Sequence, residues 1–146
     1  MYKFEKMTNE HTDAVLEMME VFYSSPALNT NGSKEIFLSD IKACTIDNPY
    51  AEGYVIKEGN SIIGYGMIAK SFSTEFGKPC IWFEDLYIKP EYRSKGIGSN
   101  YFKYIQDKYP GCIYRLEVAK ENVLAIELYH KNGFEEMHYV EMKKEN

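Results

Sequence analysis

The sequence predicts an α/β fold, a mixed and mostly antiparallel central sheet flanked by helices. Three observations carry this reading. Alternating and helical apolar patterns follow one another in the order β-α-α-β-β-β-α-β-α-β along 146 residues. Three consecutive strands in the middle are joined by short turns, which makes neighbours antiparallel. A strand over 80–90, a helix and a strand over 112–119 then form a crossover, which makes those two strands parallel. At 45% hydrophobic and 27% charged residues, the composition is that of a chain able to bury a core. Residues 1–146 read as one domain.

Each element has its own signature. "YKFEKM" (2–7) alternates as a short strand. Thr8 and Asn9 start a helix whose Val15, Met18, Met19 and Phe22 form an apolar stripe. "SSPALNTNG" (24–32) is a loop broken by Pro26 and Gly32. Ser33 caps a second helix with Phe37, Ile41 and Cys44 on one face, and Asn48-Pro49 stops it. "AEGYVIKE" and "SIIGYGMIAKSF" form a hairpin about Gly59-Asn60. "STEFGKP" turns the chain into "CIWFEDLYIKP", the most strand-like segment. Gly96 opens a helix carrying Ile97, Tyr101, Phe102 and Ile105 on one side, and Pro110-Gly111 ends it. "CIYRLEVA" is a buried strand, "ENVLAIELYHKN" a helix stopped by Gly133, and "FEEMHYVEMKK" a closing strand.

Bulk properties exclude several functions. Seventeen basic against 22 acidic residues leave a net charge of −5, the wrong sign for a nucleic-acid binder that relies on a basic field. Cys44, Cys80 and Cys112 are isolated and odd in number, and His11, His130 and His138 lack ligand spacing. Neither a disulfide framework nor a metal site is expected. The charged start and the want of a long apolar run predict a cytoplasmic protein without membrane contact.

The chemistry concentrates in "YRSKGIGSNYF" (92–102). A strand, a glycine turn and a helix N-terminus place unpaired N–H groups and the positive end of the helix dipole together, with Arg93 and Lys95 beside them: an anion site. It is not a phosphate-binding GxxxxGK[ST] loop, because Lys95 precedes Gly96. It is not a dinucleotide GxGxxG turn either, because Tyr101 stands where the last glycine is needed.

"EDLYIKPEYRSKGIGSNYF" resembles the signature of the GNAT family of acetyl-coenzyme A-dependent N-acetyltransferases. Arg93, Gly96 and Gly98 match its (Arg/Gln)-x-x-Gly-x-(Gly/Ala) loop. In "NVLAIELYHKNGF", Asn122, Ala125, Leu128, Tyr129, Gly133 and Phe134 match the next motif in register. "WFEDLYI" is similar to the polyamine and thialysine acetyltransferase branch. The resemblance implies a GNAT fold with six to seven strands and about four helices, acetyl-CoA as co-substrate, and a primary amine of a small cationic molecule as acceptor. A protein amine, an aminoglycoside or a non-catalytic acyl-CoA sensor is the alternative, and a homodimer is compatible with the family. Residues 135–146 are fewer than the family's closing pair of strands, so one strand or two very short ones are expected there.

The resemblance also implies roles. Glu84, nine positions before Arg93, is the base that deprotonates the amine, directly or through water. An alkyl ammonium, with a pKa of about 10.4, has no free lone pair at neutral pH. Asp85 faces the other side of the strand unless a bulge breaks the alternation, in which case either carboxylate serves. Tyr129 protonates the leaving sulfur. Leu86, Tyr87 and Ile88 bind the pantetheine arm through their backbone, and Arg93, Ser94, Lys95, Gly96, Ile97, Gly98 and Ser99 wrap the pyrophosphate. Asn122 bonds the pantetheine or caps the last helix. The acceptor is met by the N-terminal helices and the loop 24–33, with Tyr23, Glu84 and Asp85 as contacts and Glu17, Glu20 and Glu52 as further acidic candidates.

Overall fold

The computed structural model describes residues 1–25 and 32–146. Five strands, β1 (Tyr2–Lys6), β2 (Ala51–Glu58), β3 (Ser61–Ser73), β4 (Lys78–Ile88) and β5 (Ile113–Leu116), form one sheet in chain order. Neighbours from β1 to β4 are antiparallel, and β4 pairs with β5 in parallel. The helices are α1 (Thr12–Tyr23), α2 (Lys34–Thr45), α3 (Ile97–Lys108) and α4 (Val123–Lys131), with 3-10 turns at Asn9–His11 and Pro90–Tyr92. Ser33 caps α2 as expected, its hydroxyl accepting from the Ile36 N–H at 3.2 Å.

The sheet separates two apolar layers. On one face, Val15, Met18 and Met19 of α1 and Phe37, Ile41 and Cys44 of α2 pack on Val55, Tyr65, Met67 and Tyr87. The predicted helical stripes are the buried stripes. On the other face, Tyr101, Phe102 and Ile105 of α3 cover Tyr54, Ile68, Ile81 and Phe83, and α4 joins through Leu128 and Tyr129. Each of these large side chains stabilises the fold by about 1.5–3 kcal/mol through burial. Tyr101 reaches the sheet because Gly66 offers no side chain. A Cβ there would lie 2.3 Å from the Tyr101 ring and hydroxyl.

A β-bulge sets the functional geometry. Met67 pairs with Asp85 and Ile68 with Phe83, so Glu84 is the extra residue with no partner on β3. Strict alternation would put Phe83, Asp85 and Tyr87 on one face. Instead Phe83 packs into the α3 layer, whereas Tyr87 packs into the α1–α2 layer and Asp85 bonds Tyr65 there. The bulge turns the strand over at the place where the sequence puts its carboxylate pair.

The expected sheet of six to seven strands is corrected to five. The predicted closing strand over residues 134–144 does not form; the chain after α4 is irregular. Its alternation has no face to bury, since Tyr139, Val140 and Met142 are 65%, 88% and 92% exposed. The neighbouring edge belongs to β5, only four residues long. Glu141 of the tail also meets Glu117 just beyond β5, where a hydrogen bond between the two carboxyls, then burial and the like charge, push Glu117 up to about 7, and two carboxyls side by side make a poor cross-strand pair. Side chains hold the tail instead, with the Tyr139 hydroxyl donating to Glu75 at 2.9 Å. The loop expected over 24–33 to meet the acceptor falls mostly outside the described residues.

Candidate active site

The glycine turn has the form of an anion cradle. Ser94 and Gly96 both adopt left-handed conformations, with φ of 62° and 80°, and Gly96 is the N-cap of α3. No side chain caps this helix and no acidic residue lies in its first turn. The N–H groups of Ile97, Gly98 and Ser99 therefore point out of the helix end without an intrahelical acceptor. Lys95 sits 5.6 Å over the Tyr92 ring. Arg93 is held across β4, its Nε donating to the Ile88 carbonyl at 2.7 Å and its guanidinium 5.4 Å over the Tyr87 ring. These donors and cations fit a diphosphate.

The strand leading to the turn is open on one side. β4 pairs with β5 only from Cys80 to Phe83, which matches Leu116. Beyond the bulge, Leu86, Tyr87 and Ile88 keep their β3 partners Gly66, Tyr65 and Gly64 but have none on β5. That stretch of β4 has no ladder partner on its β5 side, and Arg93 already occupies the Ile88 carbonyl.

The carboxylates meet on the α1–α2 side. Glu84 keeps contact with solvent, yet its carboxyl sits close enough to the protein surface to be pushed up by partial burial and then by the charges of Asp85, Asp40 and Glu141. Asp85 is only 7% exposed. It accepts from the Tyr23 hydroxyl at 2.9 Å and from the Tyr65 hydroxyl at 2.7 Å. Burial raises its carboxyl as well, and the two hydrogen bonds offset this only in part. Asp40 of α2, pushed up to about 6 by burial and then by Asp85, joins the group. Sequence reasoning missed Asp40. Its signal was its place in the helical stripe, three residues after Phe37 and four before Cys44. It also missed Tyr65, which nothing but its glycine neighbours distinguishes. A cavity of about 200 Å³ opens between Met18 and Val21 of α1 and Tyr87 and Lys89, but Asp40, Glu84 and Asp85 do not line it.

Tyr129 lies half-buried on α4, 5.9 Å from the Phe102 ring and 6.1 Å from Phe134. Phe134 stands 6.1 Å from Phe83, the residue before Glu84. Burial raises the Tyr129 phenol, so it is protonated at neutral pH. Its hydroxyl has no hydrogen-bond partner among the described residues. Asn122 caps α4, accepting from the Ala125 N–H at 3.3 Å. A further link was not foreseen: Asn132, at the end of α4, donates to Ser99 Oγ at 3.0 Å and to the Leu128 carbonyl at 2.9 Å. It ties the helix of Tyr129 to the anion turn.

The acidic candidates divide. Glu52 does not join Tyr23. It accepts from Tyr54 at 2.8 Å and from Tyr109, and pairs with Lys6 and Lys70 at 3.2 and 3.5 Å. Burial opposes its charge, yet the bonds from Tyr109, Tyr54 and Lys6 hold the carboxyl down at about 2. It is a strut between β2 and the end of α3. Glu17 lines the cavity beside α1 and Glu20 is exposed. Among the described residues no group of His, Cys, Asp and Glu could hold a metal ion, and no helix is long and apolar enough to cross a membrane.

The model of the acetyltransferase (GNAT) family matches residues 13–134. The chain belongs to that family. Thialysine N-epsilon-acetyltransferase of Bos taurus is 40% identical over 85 residues, 55% of this chain and 48% of the relative. The enzyme of that name from Sus scrofa is 41% identical over 81 residues, 52% and 46% of the two chains. The chain thus spans about half the length of the curated relatives it matches. A possible acetyltransferase from Clostridium difficile 630 superposes with a TM-score of 0.83 at 21% identity, covering 99% of this chain and 97% of the other. The aminoglycoside acetyltransferase AAC(6')-Iy, solved with a bisubstrate analogue of coenzyme A and acetylneamine, gives 0.79 at 15% identity over 100% and 99%. These likenesses establish the GNAT fold.

Proposed function

We propose that residues 1–146 act as a single N-acetyltransferase domain that moves the acetyl group of acetyl-CoA to a primary amine of a small cationic molecule, polyamine- or lysine-like. One observation carries the reading. An exposed carboxylate of raised pKa, Glu84, stands at a β-bulge where β4 leaves β5, one strand-length from a turn of unpaired N–H donors. That juxtaposes a base with a diphosphate cradle.

Acetyl-CoA supplies an acyl thioester, and everything else is asked of the chain. The N–H groups of Ile97, Gly98 and Ser99, with Arg93, Ser94, Lys95 and Gly96, hold the diphosphate. Leu86, Tyr87 and Ile88 offer backbone groups to the pantetheine arm, and Asn122 steadies α4 beside it. Glu84 takes the ammonium proton. Its pKa, raised by partial burial and by Asp85, makes it a stronger base than an ordinary carboxylate. Tyr129 keeps a proton on Oη for the departing sulfur. The negative field of Asp40, Glu84 and Asp85 favours a cationic acceptor, and Tyr23 offers it an aromatic wall. The thialysine acetyltransferases, matched along about half of their length, support a small amine. Buried Cys44 and Cys80 fit a reducing cytoplasm.

Release of free thiol from acetyl-CoA, followed with thialysine, spermidine, neamine and a lysine peptide, tests this. Turnover with thialysine or spermidine at far higher kcat/KM than with neamine or the peptide is expected. Turnover with the peptide alone would refute the substrate class, and no turnover with any amine would refute the activity.

A further inference from the structure

We propose that Tyr65 and Asp85 form an internal strut that sets the position of Tyr23, which makes Tyr65 a positioning residue for acceptor recognition although it never touches the acceptor. The inference rests on the acetyltransferase reading and deepens it.

Both oxygens of Asp85 already accept a hydrogen bond from a tyrosine. Its Oδ2 accepts from Tyr65 at 2.7 Å and its Oδ1 from Tyr23 at 2.9 Å, with 7% of the residue exposed. At that burial the carboxylate is shielded from an incoming ammonium, whatever its basicity. Tyr65 is fully buried in β3, opposite Tyr87. Burial, and then the Asp85 charge, holds both phenols well above the ordinary tyrosine range, so each stays a donor.

The chain Tyr65–Asp85–Tyr23 joins β3, the residue just past the β4 bulge, and the last residue of α1. Tyr23 is thereby fixed at two ends. Its hydroxyl is held by Asp85, and its ring lies 5.0 Å from Phe37 of α2 and 5.3 Å from Phe22. The same phenol feels the charges of Asp40 and Glu84. Tyr23 therefore borders the base on one side and the segment entering the acceptor loop on the other. Stability alone does not call for this arrangement, because apolar groups of equal volume usually pack as well as a buried charged network. What the network adds is a single orientation for Tyr23.

The experiment compares wild type with Tyr65→Phe, Asp85→Asn and Tyr65→Phe/Asp85→Asn. Two readouts are used: the ζ-carbon resonance of Tyr23 in tyrosine-labelled protein, and steady-state kinetics with thialysine and spermidine. Urea unfolding reports stability separately. In Tyr65→Phe the KM for the amine should rise about 3–10-fold while the KM for acetyl-CoA stays unchanged. The double variant should be no worse than Asp85→Asn, since residues acting through one another are not additive. The Tyr23 resonance should shift in all three variants. Tyr65→Phe that lowers only the urea midpoint, with a wild-type amine KM, would overturn the proposal. So would a Tyr23 resonance unmoved by Asp85→Asn, which judges the strut even if wild type acetylates neither amine and the functional reading itself fails.

Discussion

Replacing Gly96 by alanine, set against the same change at Gly98, separates the two glycines of the turn by backbone conformation. Gly96 has φ of +80°, and a Cβ built on it would meet nothing within 4 Å. The cost is conformational, about 1–2 kcal/mol for a non-glycine residue in the left-handed region. Thermodynamics leaves two ways to meet it. If the turn keeps its shape, the fold loses that stability. If the turn relaxes, the Ile97, Gly98 and Ser99 donors are misaligned and coenzyme binding must restore them, which weakens affinity by about 5–30-fold. Gly98 differs: it lies inside α3 without positive φ, and a Cβ would rest 3.4 Å from Leu128 Cδ2, an ordinary contact. Alanine there also favours the helix by up to about 1 kcal/mol. Calorimetric titration of coenzyme A, paired with urea unfolding, checks both. The losses in stability and binding for Gly96→Ala should sum to about 1–2 kcal/mol, and Gly98→Ala should bind within about threefold of wild type. Equal effects at the two glycines would refute the argument from backbone conformation.

Three other outcomes follow from the site and its supports. Glu84→Gln should lower kcat with the amine by about 10²–10⁴-fold and flatten the rise of kcat/KM with pH, measured by thiol release; an unchanged profile would move the base elsewhere. Tyr129→Phe keeps the ring against Phe102 and Phe134, so it should reduce acetyl transfer while calorimetric affinity for coenzyme A stays near wild type. Glu52 has a folded pKa of about 2 against 4.5 in the unfolded chain. Its lowered value means that its contribution, about 3 kcal/mol at side-chain exposure of 12%, is present above pH about 4.5 and is lost as pH falls through about 2. Glu52→Gln should therefore lower the urea-derived stability at pH 7 by about that amount, and lower it less at pH 3.

Much of the fold is written in local patterns. The stripes of α1 and α2, the Ser33 cap and the crossover from β4 to β5 follow from spacing and turn chemistry, which act over a few residues. The carboxylate pair was visible too, and so was the ambiguity between its members, because a bulge leaves no mark that periodicity can read. Asp40 and Tyr65 escaped because their meaning depends on contacts from α2 and β3 to β4, distant along the chain. Glu52 misled for the same reason: an acidic residue looks available until Tyr54, Tyr109, Lys6 and Lys70 gather around it. The tail alternates like a strand, yet pairing also needs an open edge of matching length and compatible charge.

A crystal grown with coenzyme A puts the central claim to its most direct trial. The account predicts the diphosphate oxygens within hydrogen-bonding distance of the Ile97, Gly98 and Ser99 N–H groups, with the pantetheine arm along Leu86–Ile88 and its sulfur between Glu84 and Tyr129. Coenzyme bound elsewhere, or absent at saturating concentration, would contradict it.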